Sequence, residues 1–431
     1  MPAEPSKPLT IALTCPGWPP DRVANGVASY VADVAGGLRR LGHIPVIFAQ
    51  SISGVGADDC PFDLRPIAEA RGMVGRLADR VAYRIGFKAQ HDRSTCRGLI
   101  RGARRAIVDP GIELLEMEEA FGWPRNVAPR VGIPLVVRLH GPWFLNGPLR
   151  GVPEDEAFRL RVERERQAIL AAAAISSPSR DALDRTRSYY GLPLEGAEVV
   201  ENPCPAVPPE RRWRLDACDR TAVVFVGRFD RHKGGDVVID AFTRVAERRP
   251  DARLIFIGPD CGLVGDDGRH WTLPDYIQER TGGAIAGRIE WRGQQPRSEA
   301  AESRLRSMIT VVASRYETFG IAVTEAMAQG CPLVATRAGA IAEIVEHGNT
   351  GLLCRPGNAE DMAAAILSLF DAPALAARLG ANAAGVAERR FHPDAIARKM
   401  AEFYRRAISK EAGRGRARAE GGIGRPGHKQ K

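Results

Sequence analysis

The sequence has few aromatic residues, no long apolar run, and no cysteine or histidine spacing typical of a metal site. Phe, Trp and Tyr make up 6% of the 431 residues, so we expect cores built from aliphatic side chains. No stretch approaches the roughly 18 consecutive apolar residues of a membrane span. The eight cysteines are scattered without a C-x-x-C pair, which indicates reduced thiols rather than zinc ligands or disulfides.

Length and composition indicate a globular protein of more than one domain. At roughly 150 residues per domain, 431 residues predict two or three domains. Apolar residues make up 44% of the chain and charged residues 26%, which is enough to build sizeable cores. The first residues have neither the charged start nor the long apolar core of a signal peptide, so we expect a cytoplasmic protein.

The net charge of +9 is concentrated in two segments. Residues 65–105 contain eleven Lys and Arg against three acidic residues, and residues 410–431 contain seven against two. The rest of the chain is therefore slightly acidic, which argues against nucleic acid as a partner. Residues 410–431 are rich in Gly and Arg and have almost no large apolar side chains, so we expect this tail to be disordered.

Short apolar runs alternate with helical patterns along both halves of the chain. This alternation predicts an α/β protein with two Rossmann-like domains, each built on a parallel sheet, and a crevice between them. Four prolines between residues 203 and 209 interrupt the alternation and indicate a break between the halves. We therefore predict domains at 1–205 and 218–390 with a linker at 206–217, and a last helix at 391–409 that packs back on the first domain.

Two motifs in the second half combine charged residues with the start of a helix. In "VFVGRFDRHKGGDVVIDAF", Arg228 and Lys233 lie between a strand and a helix, where they would form an anion site suited to a diphosphate. In "SRYETFGIAVTEAMAQGCPLVAT", Glu317 and Glu325 flank the start of a helix at Gly320. Amide groups at that start suit phosphate oxygens, and carboxylates suit sugar hydroxyls. Taken singly, each motif is equally compatible with solvated surface charges.

Together these motifs, followed by "GAIAEIV" and "TGLLCRPGNAEDMAAAI", resemble the donor-binding half of family 4 glycosyltransferases of the GT-B fold. The resemblance is strong over about 221–370. It extends more weakly over 9–205 through "NGVASYVADVAGGLRRLGH", "PLVVRLHG" and "VVENP". The four motifs occur in the order and spacing of the family.

The resemblance implies roles for individual donor-binding residues. Arg228 and Lys233 would hold the donor diphosphate, and Glu325 would bind the ribose hydroxyls. The loop at Gly26 would lie beside the diphosphate. Backbone amides that would contact sugar and phosphate belong to Phe319, Gly320 and Ile321.

The resemblance also implies two catalytic residues and a stereochemical course. Glu317 would contact the transferred sugar near its anomeric carbon, and His140 would face the sugar from the other domain. The family retains the anomeric configuration, and we expect no cofactor and no metal, because two cations and a helix terminus offset the charge of the leaving group.

The expected function is transfer of a hexosyl unit from a nucleotide-diphosphate sugar to a glycan or lipid-linked acceptor in polysaccharide or glycolipid assembly. Two alternatives stay open at this point. One is a nucleotide-sugar epimerase on the same fold, and the other is a catalytically inactive, membrane-associated partner subunit.

A basic amphipathic pattern lies on the side where the acceptor is expected. Within 71–105, basic residues recur every four positions beside an apolar stripe. Two interpretations are equally compatible with this pattern. The segment either contacts an anionic membrane surface, which would make the protein peripheral on the inner face of the membrane, or it packs by its apolar stripe with its arginines in water.

Overall fold

Two parallel β-sheets organise the residues that the computed structural model describes, which are 7–20, 25–52, 62–63, 88–265 and 268–421. The strands of the first sheet are β1 (Thr10–Cys15), β2 (Ile44–Ala49), β3 (Phe62–Asp63), β4 (Leu114–Glu118), β5 (Leu135–Arg138), β6 (Ala174–Ser177) and β7 (Glu198–Val199). Strands from the second half are β8 (Asp219–Val226), β9 (Arg253–Ile257), β10 (Leu263–Val264), β11 (His270–Trp271), β12 (Ile289–Trp291), β13 (Ser307–Val312), β14 (Leu333–Thr336) and β15 (Leu352–Cys354).

Strand order identifies both sheets as doubly wound. The first sheet has the order β3-β2-β1-β4-β5-β6-β7 and the second β12-β9-β8-β13-β14-β15, while β10 and β11 form a separate antiparallel pair. In each sheet the order reverses between two central strands, β1 and β4 in the first and β8 and β13 in the second. Ligands of such sheets bind outside the carboxyl ends of the strands at this reversal. The prediction of two Rossmann-like domains is confirmed.

Helices connect the strands of both sheets. In the first half they are α1 (Gly26–Arg40), α2 (Lys88–Val108), α3 (Pro124–Val131), α4 (Trp143–Leu149), α5 (Glu156–Ala171) and α6 (Arg180–Tyr190). Those of the second half are α7 (Gly235–Arg248), α8 (Leu273–Thr281), α9 (Arg297–Leu305), α10 (Ile321–Ala328), α11 (Ile341–Ile344), α12 (Ala359–Asp371), α13 (Pro373–Arg390) and α14 (Pro393–Gly421).

Helix α1 shows how the sequence positions the edge of the crevice. The Asn25 side chain accepts a hydrogen bond from the Val27 amide and caps the helix, which begins at Gly26. Tyr30, Val31 and Val34 are buried against the first sheet, as the predicted helical spacing requires. The capped end of α1 is thereby fixed at the carboxyl edge of that sheet.

Helix α14 returns from the second half of the chain to the core of the first domain. Ile396, Met400 and Phe403 are buried in that core. The Tyr404 hydroxyl donates to one oxygen of buried Glu116 at 2.8 Å, and the Tyr30 hydroxyl donates to the other at 2.9 Å. The first domain therefore depends on both ends of the chain.

The same helix is longer than the sequence indicated. We expected it to end at residue 409 and the chain from 410 to 431 to be disordered, but α14 continues to Gly421. Ala, Arg and Glu in this part favour helix, and extending a helix that is already anchored avoids the cost of nucleation. Residues 422–431 lie outside the described residues.

The segment predicted as a linker lies against the second domain. Trp213 is buried in the core of that domain, where its indole N–H donates to the Ser307 carbonyl at 2.8 Å. Its backbone amide donates to the Gln329 carbonyl at 2.8 Å. Residues 206–217 are thus tied to the second sheet by packing and hydrogen bonds, although they contain little regular structure.

Only part of the basic segment 71–105 falls within the described residues, because 64–87 lie outside them. In α2, Cys96, Leu99 and Ala103 are buried in the core of the first domain. Arg93 and Arg101 are exposed on the same helix. The apolar side of this helix is therefore used for packing, while Arg93 and Arg101 face solvent.

No single helix among the described residues has the length and hydropathy of a membrane span. Two consecutive helical segments, Ala359–Asp371 and Pro373–Gly413, meet the criterion only when they are taken together, and the chain bends by 105° between them. The second segment includes α13 and the start of α14. Met362, Ile366 and Leu369 of the first helix are buried in the core of the second domain.

Candidate active site

The loop after β8 carries the two cations predicted to bind a diphosphate. Asp230 organises this loop: its Oδ1 accepts from the Lys233 amide and its Oδ2 from the Arg228 Nε, both at 2.6 Å. Gly234 has a φ of +72°, and a Cβ there would overlap the Ala313 carbonyl at the end of β13. The loop after β8 is thereby held directly against the loop after β13.

Lys233 and Glu317 meet at this junction. The Lys233 Nζ lies 2.6 Å from the Glu317 Oε1, and the Ser314 hydroxyl donates to the same oxygen at 2.6 Å. The side chain of Lys233 is 28% exposed and that of Glu317 13%, so the pair opens toward solvent mainly through the lysine. A predicted donor-binding cation and a predicted catalytic carboxylate are therefore direct partners.

The charge state of this junction is defined by its surroundings. Burial alone would raise the pKa of Glu317, but Lys233 and the hydrogen bonds from Lys233 and Ser314 hold it below its ordinary value. Burial and the nearby Lys233 charge lower the pKa of His232 to about 4. Neutral His232 donates from Nε2 to the Tyr316 carbonyl at 3.0 Å and joins the two loops again. Glu317 is thus ionised beside a neutral histidine at neutral pH.

Two helix N-termini from different domains meet beside the two loops. Gly320 caps α10 with a φ of +99°, a conformation that favours glycine. A Cβ on Gly26 at the start of α1 would lie 3.4 Å from the Ile321 Cδ1 at the start of α10. Both helix ends carry amide groups without partners inside the helix, and both favour an anion. The Phe319 ring is buried against Phe391, so only the backbone of Phe319 is available to a ligand.

Thr318 joins the Glu317 loop to the first domain from two sides. Its hydroxyl donates to the His140 carbonyl at 2.7 Å, and its own carbonyl accepts from the Ser179 hydroxyl at 2.7 Å. Ser179 also caps α6. The end of β5 and the start of α6 are therefore bonded to the residue that follows Glu317.

His140 is fixed by its backbone on both sides. Its amide donates to one carboxylate oxygen of buried Glu119 at 2.9 Å, and the Gly141 amide donates to the other at 2.7 Å. Its ring meets the Tyr30 ring edge-on, with centroids 4.8 Å apart. Burial and the positive charge of Arg138 hold the pKa of His140 well below its ordinary value, so the ring is neutral.

Glu325 has partners that the sequence did not indicate. Its Oε1 accepts from the Arg297 Nε at 2.6 Å, and its Oε2 accepts from the Arg304 Nη2 at 2.8 Å. Arg297 also reaches across to Asp33 on α1, at 3.1 Å from Nη2 to Oδ2. Burial raises the pKa of Glu325, but the two arginines outweigh this effect and keep it below its ordinary value.

The nine predicted site residues all lie in segments that follow strands at the carboxyl edges of the two sheets. The structure brings Lys233 to Glu317 and Gly26 to Ile321, whereas Arg228 pairs with Asp230 rather than with Glu317. Sequence reasoning missed Asp230, although an Asp three residues before Lys233 is a common turn signal.

A group of aromatic and charged side chains lies beside His140 in the first domain. The Arg161 guanidinium lies 3.5 Å from the Trp143 ring centroid and 4.3 Å from that of Phe121. Its Nε pairs with Glu165, whose other oxygen accepts from the Trp143 amide at 2.7 Å. Phe121 is 42% exposed with a φ of +58°, so it presents a ring at the edge of the crevice.

The described residues include no group of three His, Cys, Asp or Glu side chains that could hold a metal ion. The absence of a metal in the reaction stays a prediction.

Buried carboxyl groups near Phe121 predict a pH dependence of stability. Burial and the negative charge of Glu119 raise the pKa of Glu118 to about 7 and that of Glu165 to about 8. On these two groups the folded protein therefore holds protons that the unfolded chain releases at lower pH, and their contribution to stability should fall as pH rises from about 5 to about 8. Glu165→Gln should reduce this fall by about 1–3 kcal/mol, measured by urea unfolding across that range.

Glu163→Gln is the matched control, because Glu163 is exposed on the same helix, α5. It should leave the pH dependence as in the wild type. An unchanged pH dependence in Glu165→Gln would contradict the assigned pKa.

Each half of the chain matches a known protein family. Residues 24–206 match the family described as Glycosyltransferase Family 4, and residues 210–386 match Glycosyl transferases group 1. The two matched ranges correspond to the two domains and include all nine predicted site residues.

Individual proteins similar to this chain support the same family assignment. The chain is 27% identical over 405 residues to a D-inositol 3-phosphate glycosyltransferase of Thermobispora bispora, covering 90% of this chain and 91% of the relative. It is 26% identical over 292 residues to the alpha-D-kanosaminyltransferase of Streptomyces kanamyceticus, covering 66% and 73%. Its fold is similar to that of HepE of Anabaena in complex with UDP and glucose, with a TM-score of 0.62, 21% identity and coverage of 91% and 98%. The chain belongs to the GT-B glycosyltransferases of the family 4 type.

Proposed function

We propose that the protein transfers a hexosyl unit from a nucleotide-diphosphate sugar to a glycan or lipid-linked acceptor, with retention of the anomeric configuration. The observation that carries the proposal is the convergence of Lys233, Glu317 and the N-termini of α1 and α10 at one point of the crevice. A cation and two helix ends provide the positive potential that a diphosphate requires. The names of the similar proteins favour transfer over an epimerase or an inactive partner subunit.

In the proposed complex, the diphosphate lies against the helix ends and takes Lys233 and Arg228 as partners. Both cations already have carboxylate partners, so the phosphate oxygens would share or replace these contacts. The sugar would extend toward Glu317 and His140. Each oxygen of Glu325 has a second lone pair, so the carboxylate can accept ribose hydroxyls while it keeps its arginines. UDP and glucose in the HepE complex are consistent with a donor of this kind.

The chemical step that we propose is a front-face displacement. The bond between the anomeric carbon and the leaving phosphate breaks while the acceptor oxygen attacks from the same face. The acceptor proton passes to an oxygen of the leaving phosphate. Lys233, Arg228 and the helix ends stabilise the negative charge that develops on this phosphate, so the step proceeds without a metal. Neutral His140 can donate a hydrogen bond to a sugar hydroxyl without adding charge.

A screen of nucleotide sugars by thermal shift tests the donor. At 100 times its Kd, a bound donor should stabilise the protein by about 2.7 kcal/mol, which raises Tm by roughly 2–4 °C.

Lys233→Ala and Arg228→Ala should each raise the donor KM roughly ten- to hundredfold, because each removes a charge-assisted contact to phosphate. Exposed Arg244 on α7 gives the control Arg244→Ala, which should behave as the wild type. Normal turnover in both loop variants would contradict the assigned diphosphate site.

Substitutions of Glu317 and Glu325 should have different effects on turnover and on nucleotide affinity. Glu317→Ala should reduce turnover at least about a hundredfold while nucleoside diphosphate affinity stays within a few-fold, because the carboxylate would act at the sugar. Glu325→Ala should lower both the turnover and the affinity for the nucleoside diphosphate, because Glu325 would bind the ribose. Calorimetric titration with UDP and GDP, beside steady-state rates, makes the comparison, and unchanged affinity in Glu325→Ala would show that the ribose role is wrong.

We further propose that segment 71–105 attracts the protein electrostatically to an anionic membrane on the cytoplasmic side. The support is the exposure of Arg93 and Arg101 on a helix whose apolar residues are occupied in the core. Each arginine near an anionic surface contributes about 1 kcal/mol, and the attraction decays over a Debye length of about 8 Å at physiological ionic strength.

Co-sedimentation with vesicles tests the membrane contact. Wild type should bind anionic but not neutral vesicles at low salt and dissociate at high salt. A combined Arg93→Gln and Arg101→Gln variant, and a second with Arg76, Arg80 and Arg84 changed to Gln, should bind less, whereas Arg244→Gln should bind normally. Equal binding of the wild type to both vesicles, or to neither, would favour the packing interpretation.

A further inference from the structure

The ion pairs around Glu325 connect the two domains through one side chain. Arg297 begins α9 in the second domain and lies between two carboxylates from different domains. Its Nε donates to Glu325 at 2.6 Å, while its Nη1 and Nη2 face the two oxygens of Asp33 on α1 at 3.4 and 3.1 Å. These three side chains are 25%, 14% and 14% exposed, so the group is largely shielded from water.

The other carboxylate oxygen of Glu325, Oε2, accepts a hydrogen bond from an arginine of its own domain. Arg304 on α9 is 2% exposed and donates to the Glu325 Oε2 at 2.8 Å. Two guanidinium groups and two carboxylates therefore form a neutral set in which each carboxylate has a fixed orientation. A planar guanidinium can bridge two carboxylates in this way because its N–H groups lie on separate edges.

Helix α1 contacts the second domain at two points. Its first residue, Gly26, abuts Ile321 at the start of α10, and Asp33 lies seven residues further along, or about 10 Å along the helix axis. Asp33 thus fixes how α1 lies across α9 and α10. Separating the domains would leave Arg297 with Glu325 alone and would withdraw the N-terminus of α1 from the diphosphate site.

We propose that Arg297 is a positioning residue that couples domain closure to the carboxylate at the ribose site. Asp33 holds Arg297 when the domains are closed, and Arg297 in turn orients Glu325 for the ribose hydroxyls. This inference rests on the proposed role of Glu325 in donor binding. It assigns to Asp33 an effect on the donor nucleotide that is exerted through Arg297.

A double-mutant cycle tests the coupling. Asp33→Asn and Arg297→Gln should each weaken binding of the nucleoside diphosphate of the identified donor by roughly five- to twentyfold in calorimetric titration. The double variant should be no weaker than Arg297→Gln alone, because Asp33 acts through Arg297. In steady-state assays the donor KM should rise while kcat stays within about twofold, and Arg297→Lys should not restore affinity, because an ammonium cannot bridge both carboxylates.

Matched controls separate this effect from general loss of charge. Asp184→Asn on α6 and Arg306→Gln at the end of α9 remove exposed charges from the same two domains and should bind the nucleotide as the wild type does. Thermal melting of every variant shows whether it is folded. Small-angle scattering should give a larger radius of gyration for ligand-free Asp33→Asn than for the wild type, as expected if the domains open.

The outcomes distinguish the coupling from the proposed function. Unchanged nucleotide affinity in folded Asp33→Asn, or effects of the two substitutions that multiply in the double variant, would overturn the coupling alone. Absence of nucleoside diphosphate binding by the wild type would overturn the proposed function and the coupling with it.

Discussion

The site depends on the two hydrogen bonds that hold Thr318 to the first domain. One joins its hydroxyl to the His140 carbonyl, and the other joins its carbonyl to the Ser179 hydroxyl. Because Thr318 lies between Glu317 and Phe319, these bonds place the Glu317 loop of one sheet at the strand ends of the other. The crevice of each doubly wound sheet thereby becomes one wall of a shared site. This contact brings Glu317 and His140 to one surface.

Charge at the junction is arranged so that it is balanced before any ligand binds. Arg228 pairs with Asp230 and Lys233 with Glu317, and the two carboxylates Glu325 and Asp33 are matched by the two arginines Arg297 and Arg304. These pairs keep partly buried charges from being isolated, which would be costly. The positive potential that remains comes from the N-termini of α1 and α10, whose amides cannot be neutralised within their helices. An anion that enters between these ends adds contacts to an arrangement that is already formed.

Much of this arrangement could be predicted from the sequence because its signals are local. The strand that ends at Val226, the loop with Lys233 and the helix that starts after Gly320 are each defined by a short run of residues. Asp33, Arg297 and Glu119 could not be predicted, because their roles depend on contacts between residues far apart in the chain. Asp33 and Arg297 are 264 positions apart, and only the crossing of α1 over α9 makes them partners. The extent of α14 was also missed, because composition gives no measure of how an anchored helix extends.

A crystal structure with the nucleoside diphosphate of the identified donor would test the proposed diphosphate site. Phosphate oxygens should lie within hydrogen-bond distance of the Lys233 Nζ and the Arg228 guanidinium, next to the amides of Gly320 and Ile321. The ribose hydroxyls should meet Glu325 while Arg297 stays in place. A nucleotide bound elsewhere, with Lys233 still paired only to Glu317 and no ligand at the start of α10, would contradict it.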